Sequence, residues 1–313
     1  KQQFSEILND KTKYPLMGSI QDNLQYVYSS INKYPSNPDN LGFDATRYNM
    51  AATYLNTLVD LKDPRAYITA EPATKQINQL HKSPADITAY VGANSGEDLA
   101  NMSSKMSSAD TAEYSVRSRT RYYSSYAAEP GLIIGYAEMC FNIAEGINRG
   151  WAAGFAEEWY KKGIKASLNF YGIPADAPGS VTKTYKGLNY IINFDFENGY
   201  YLQPSVKYKG DNPGGLEQIL TQKYLAFFQN SGREAYYNFR RTNIPAFLTG
   251  TGTGNGGKIP KRYQYPSSER TTNGENWKST LQAQYAGNDD INATMWVLQL
   301  IRSTGRSVWL LND

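Results

Sequence analysis

Apolar residues recur at helical spacing in a few bounded stretches, separated by long polar intervals. Over residues 44–62, Tyr48, Ala51, Ala52, Leu55, Leu58 and Val59 fall at i, i+3, i+4 spacing behind Asp44, a good N-cap residue. The spacing predicts the first long helix from Asp44, stopped by Asp63-Pro64. After Pro130 a second stripe holds Ile133, Ile134, Ala137, Cys140, Phe141, Ala144 and Ile147, and Gly150 suits a left-handed C-cap. A third helix is predicted over 154–171, closed by Gly172 and Pro174. The fourth, 213–230, carries Leu216, Ile219, Leu220, Tyr224, Phe227 and Phe228 before Ser231-Gly232. Shorter helices are predicted over 2–8, 233–241 and 277–285.

Between 65 and 129 the periodicity fades. Pro72, Pro84, Gly92, Gly96 and the serines of 103–108 predict long surface excursions, which tend to carry function. Alternation through Arg117-Ser118-Arg119-Thr120-Arg121 predicts a short strand with one basic face. Residues 242–276 are dense in Gly, Pro, Thr and Arg and predict loop. No linker or charge run divides the chain, so one unit is expected over 1–313.

The pair of helices at 132–172 forms an αα-hairpin. Ala144 at a tight point of its first helix, and Ala156, Tyr160 and Gly163 in the second, follow the small-large-small spacing of a tetratricopeptide unit. Such a hairpin cannot bury its apolar face alone and needs stacked neighbours, about three repeats being the usual minimum. One good unit and a partner helix at 44–62 fall short of that count.

Composition narrows the function classes. The chain has 313 residues, a formal net charge of +3 and 26 tyrosines. A balance so close to neutral gives no electrostatic footprint for nucleic acid, despite Arg117, Arg119 and Arg121 ahead of Tyr122 and Tyr123. The most apolar stretch, 131–141, is interrupted by Glu138 and falls far short of the roughly 18 apolar residues of a membrane span. A single Cys140 and a single His81 exclude disulfides within the chain, cysteine-based zinc sites and paired-histidine metal sites. Cys140 lies on an apolar helix face and reads as an inert buried thiol; His81, in a polar loop, reads as a surface residue. No metal or cofactor is expected. Gly252-Thr253-Gly254-Asn255-Gly256-Gly257 matches the G-x-G-x-x-G pattern, but no strand precedes it and no helix follows, so a flexible surface loop is expected. Asp289-Asp290 lacks the alternate acidic spacing of a calcium loop and reads as a polar turn. No nucleophile elbow, Walker A or H-E-x-x-H pattern is present. Tyrosine on loops suits flat, neutral ligands: sugar rings stack their C–H faces on aromatics and hydrogen-bond to neighbouring polar side chains.

Two blocks make the reading more specific. The first is Tyr136-Ala137-Glu138-Met139-Cys140-Phe141-Asn142-Ile143-Ala144-Glu145-Gly146, then Arg149-Gly150-Trp151, Ala156-Glu157-Glu158-Trp159-Tyr160 and Gly163-Ile164-Lys165-Ala166-Ser167. The second runs Ile219-Leu220-Thr221-Gln222-Lys223-Tyr224, Glu234-Ala235-Tyr236, Arg240-Arg241-Thr242, Pro245, Ile259-Pro260-Lys261-Arg262, Tyr265-Pro266, Glu269 and Asn273. In this order they resemble the SusD/RagB-like family, closest to the branch called SusD-like family 2, over about 44–296. The resemblance implies a mainly α fold, with tetratricopeptide-type helical hairpins, long loops and a few short strands. It also implies a lipid-anchored, non-enzymatic binding protein at the outer-membrane surface that captures oligosaccharides for a SusC-like, TonB-dependent transporter. The alternative is a helical-repeat scaffold for peptides or a partner protein. Family members are longer, so an N-terminal part with the lipid anchor and the first hairpins is expected outside this chain. Residues 213–296 form the C-terminal family segment, and 297–313 is a tail without assignment.

A stacking platform needs solvent-facing aromatics on a rigid support. Tyr122 and Tyr123, with Arg121 beside them to bond ring hydroxyls, are the first candidates. Tyr90 and Asn94, before Gly96, are the second.

Overall fold

The computed structural model describes residues 1–45, 47–230 and 232–295. The tail at 297–313 and the end of the expected family segment at Trp296 lie outside them. The chain is mainly helical. Its longer elements are α1 (Gln2–Asn9), β1 (Leu24–Tyr26), α2 (Ala52–Asp60), α3 (Arg65–Thr69), α4 (Thr74–Asn78), α5 (Leu99–Lys105), α6 (Arg119–Tyr123), β2 (Gly131–Ile134), α7 (Tyr136–Asn148), α8 (Ala156–Phe170), β3 (Gly179–Tyr185), β4 (Leu188–Phe194), α9 (Pro213–Ala226), α10 (Glu234–Thr242), α11 (Ser267–Thr272) and α12 (Gly274–Tyr285). None of the described helices is long and apolar enough to cross a membrane.

The hairpin α7–α8 is the organising unit, and α9 packs against both helices. Ala144, Ala156 and Tyr160 are buried. Gly163 faces the Phe141 ring so closely that a Cβ would lie 2.6 Å from Cε1. An alanine there gains about 1 kcal/mol of helix propensity but must displace that ring, at about 1–3 kcal/mol. Gly163→Ala is therefore expected to lower the denaturation midpoint; a midpoint at or above wild type would show that the ring has room. On the outer side of α7, Gly146 receives the Phe4 ring of α1, and Trp151 meets Phe4 edge-on at 5.9 Å.

At the centre sits a buried polar cluster. Arg65 and Asp63 are both fully buried and doubly bonded, Nε to Oδ1 at 2.9 Å and Nη2 to Oδ2 at 2.7 Å. Arg65 also donates to Ser167 Oγ of α8 (2.9 Å) and Gln222 Oε1 of α9 (2.6 Å). Asp63 accepts the Tyr200 hydroxyl, which Gln222 Nε2 approaches at 3.2 Å. Burial opposes the charge on Arg65, but Asp63 more than offsets it and raises the pKa above its ordinary value. One guanidinium thus ties α3, α8 and α9 together.

Several expected elements come out differently, among them the loop predicted over 242–276, which contains α11. The helix predicted from Asp44 begins only at Ala52, because residues 49–51 are extended and bonded to distant backbone. Met50 N–H donates to Ser115 O (2.8 Å), and Ala93 N–H donates to Met50 O (2.7 Å). Asp44 is buried and receives Arg117 Nη2 at 2.9 Å and the Tyr123 hydroxyl at 2.8 Å. Residues 131–134, assigned to the α7 helix by their apolar stripe, form β2 and pair antiparallel with β1, Gly131 opposite Tyr26. Of the basic strand expected over 117–121, Arg117 makes an antiparallel bridge to Ala70, while 119–121 begin α6, capped by Ser118 Oγ on Arg121 N–H. Nor is 65–129 mostly a surface excursion: Ala66, Tyr67, Ala70, Ala73, Ala89, Tyr90 and Ala93 are buried.

The hairpin β3–β4 is a regular antiparallel pair, Gly179 opposite Phe194 and Tyr185 opposite Leu188. Lys186 (φ 48°) and Gly187 (φ 79°) make its two-residue turn, both in the left-handed region that a type I′ hairpin requires. Its root is anchored by buried Val181, Lys183 and Phe194.

Candidate ligand-binding site

The expected tyrosine platform does not face solvent. Tyr122 is fully buried, Tyr90 is 2% and Tyr123 6% exposed. Tyr122 lies between Tyr34, at a centroid distance of 6.3 Å, and Phe228, at 6.2 Å. Tyr90 packs edge-on to Tyr67 at 5.3 Å and donates to Pro84 O at 2.9 Å. The Tyr123 hydroxyl is engaged by Asp44 and Arg117. Arg121 turns inward to Glu129, Nε to Oε2 at 2.6 Å, with its guanidinium 4.7 Å from the Tyr171 centroid. Apolar burial of the rings outweighs exposure once α6 is a helix packed on the core. Asn94 remains exposed, its Oδ1 accepting Gly96 N–H at 2.9 Å. The glycine-rich loop that follows far downstream is held against this segment: Gly252 N–H donates to Gly96 O at 3.0 Å, and Ser95 Oγ to Leu248 O at 2.8 Å. That loop is pinned rather than free, and its glycines allow the close backbone approach.

The other chemistry-bearing residues are accounted for internally. Burial pushes the Cys140 thiol up to about 11, which keeps it protonated and unreactive. Asp289 accepts Arg262 Nη2 at 2.6 Å and Tyr265 N–H at 3.1 Å.

A cleft of about 870 Å³ opens between the α4–α5 region and the tip of the β3–β4 hairpin. Tyr114, Tyr185, Asn49, Glu71, Arg119 and Lys186 supply its aromatic and polar lining. Tyr114 is half-buried and held by its hydroxyl, which donates to Glu97 Oε2 at 2.6 Å and accepts Lys105 Nζ at 3.0 Å. Tyr185 is half-buried at the hairpin tip, and its hydroxyl is shielded from water with no hydrogen-bond partner among the described residues. Burial raises its pKa, and Glu71 adds to the rise. Glu71 Oε2 pairs with Lys183 Nζ at 2.8 Å, while Oε1 accepts Arg119 N–H at 2.9 Å. Burial lowers the Lys183 pKa against the pull of Glu71. Lys183 Nζ also donates to Ala70 O at 2.7 Å, so strand β3 is fastened from beneath while its tip forms the cleft wall.

None of Tyr114, Tyr185 and Lys186 was among the sequence candidates. For Tyr185 and Lys186 the signal was present in the alternation Val181-Thr182-Lys183-Thr184-Tyr185 before Lys186-Gly187, a strand running into a turn.

A family profile described as "Starch-binding associating with outer membrane", SusD-like family 2, matches residues 1–266. The chain belongs to the SusD-like family. A SusD homologue from Bacteroides fragilis superposes with a TM-score of 0.76 at 27% identity, covering 93% of this chain and 62% of that one. A candidate outer-membrane, nutrient-binding protein from Bacteroides vulgatus gives 0.75 at 25% identity, covering 95% and 61%. A chitin-binding protein shares the fold at 0.65 and 22% identity, covering 91% and 57%. This SusD-like chain thus spans less than two thirds of the length of these relatives. No curated protein matches it. Within the family frame, the Arg240-Arg241-Thr242 motif has a structural role: Arg241 grips Glu145 of α7 through both nitrogens, Nη2 to Oε2 at 2.9 Å, and Arg149 Nε adds a third bond at 2.7 Å.

Proposed function

We propose that this SusD-like chain is a non-catalytic binding protein of the outer-membrane surface that captures oligosaccharides and passes them to a SusC-like, TonB-dependent transporter. The cleft carries the reading. It is large enough for several sugar rings, and it places two anchored tyrosines beside amide, hydroxyl and charged groups, the combination that stacks C–H faces and bonds hydroxyls. The starch-binding description of the family and the chitin-binding protein of the same fold support the same class of ligand. Anchorage by lipid belongs to this proposal, as does the transporter partner.

The test is a glycan array beside a peptide library, followed by calorimetry on the hits. Oligosaccharides are expected to bind, and Tyr185→Ala is expected to weaken them about tenfold, the loss of one stacking surface. Retention of peptides alone would favour the scaffold alternative. Release of new reducing ends by the purified protein would overturn the non-catalytic part.

A further inference from the structure

We infer that the cleft selects oligosaccharides bearing an anionic group, a carboxylate or a sulfate, held between Arg119 and Lys186. The inference rests on the reading of the cleft as a glycan site and concerns its charge preference.

The one carboxylate lining the cleft is already neutralised. Glu71 is bonded on one oxygen by the buried Lys183 ammonium and on the other by a backbone N–H. Around the walls, Lys75 pairs with Glu113 at 2.9 Å and Lys105 with Glu97, so these four charges cancel as well. Two cations are left over. Arg119 is exposed, and its guanidinium makes no hydrogen bond or ion pair among the described residues; only its backbone N–H is engaged. Lys186 is exposed, with Nζ 5.6 Å over the Tyr185 ring and no carboxylate partner among the described residues. Against them stands Asp110, exposed and next to the lining residue Ala109.

The two cations differ in what they offer. A guanidinium presents a planar fork that matches a carboxylate or sulfate with two parallel N–H donors, whereas the ammonium is a mobile point charge. A neutral sugar can use the rings but leaves both cations to water.

The experiment is a glycan array carrying neutral maltose, xylan and chitin oligosaccharides, oligogalacturonate with its methyl ester, and sulfated carrageenan oligosaccharides, followed by calorimetry. The acidic member of a matched pair is expected to bind at least about tenfold tighter than its neutral counterpart at low salt, the advantage shrinking as salt is added. Arg119→Gln and Lys186→Asn are each expected to bring that ratio towards one. Asn is chosen because it tolerates the positive φ at position 186. The uronate and sulfate arms decide which anion is preferred. Hits confined to neutral sugars, or a ratio unmoved in both variants, would overturn the charge preference and leave the glycan reading intact. An array with no hits overturns the glycan reading, and the preference falls with it.

Discussion

Arg65→Met is expected to destabilise the fold by about 3–5 kcal/mol, the cost of stranding a buried charge. In the native protein the Asp63 carboxylate is fully buried and takes most of its compensation from the guanidinium. Methionine fills the volume but leaves Asp63 with the Tyr200 hydroxyl and a backbone N–H, and it also removes the donors to Ser167 and Gln222. Arg65→Lys should fall between the two, since one ammonium cannot reach Asp63, Ser167 and Gln222 in the forked geometry. The pair acts as a unit, so Asp63→Ala combined with Arg65→Met should cost clearly less than the sum of the single changes. Chemical denaturation of the four proteins closes the cycle. An Arg65→Met midpoint equal to wild type, or simple additivity, would show that the cluster adds nothing to the joint between α3, α8 and α9.

The second large effect is acid sensitivity at the joint between α7 and α10. Burial alone would raise the Glu145 carboxyl, but Arg241 and Arg149 outweigh it and hold the pKa below the ordinary carboxylate range. A carboxylate with a depressed folded-state pKa contributes stability that is fully present above its unfolded value, about 4.3, and lost as pH falls through the folded value. Glu145→Gln is expected to cost about 2 kcal/mol at pH 7, the scale of hydrogen bonds to a charged group. The gap between variant and wild type should narrow steadily below pH 4. Denaturation midpoints at pH 7, 5, 4 and 3 make the comparison, and two parallel profiles would refute the linkage.

The parts of the fold that were legible in the sequence are those that local chemistry decides. The α7–α8 hairpin and α10 end close to their expected stops, whereas α9 ends at Ala226, short of the Ser231-Gly232 expected to close it; the small residues at Ala144 and Gly163 mark the tight helix contact. Misread elements depend on partners far along the chain. Asp44 has the residue type of a helix cap, yet its carboxylate serves Arg117 and Tyr123, some seventy to eighty positions away. The four apolar residues ahead of Gly135 carry no period that separates strand from helix, and only the pairing with β1 decides. The site failed for the same reason. Tyr90, Tyr122 and Tyr123 stand among Gly, Ser and Arg, a polar company that suggested exposure, but their rings are buried, Tyr90 against Tyr67 of α3 and Tyr122 and Tyr123 in a cluster with Tyr34. Tyr185 lay instead on an element whose alternation was readable and was passed over.

The β3–β4 hairpin divides its labour along its length. Val181, Lys183 and Phe194 bind it to the body of the protein, while Tyr185, Lys186 and Gly187 at the far end meet the cleft. On the proposed function, changes at the tip are expected to act on recognition with little consequence for folding, and changes at the root to do the reverse. Such a separation makes the tip an exchangeable cassette: hairpins from related chains, grafted onto this root at matched register, offer a direct route to altered ligand preference on an unchanged scaffold.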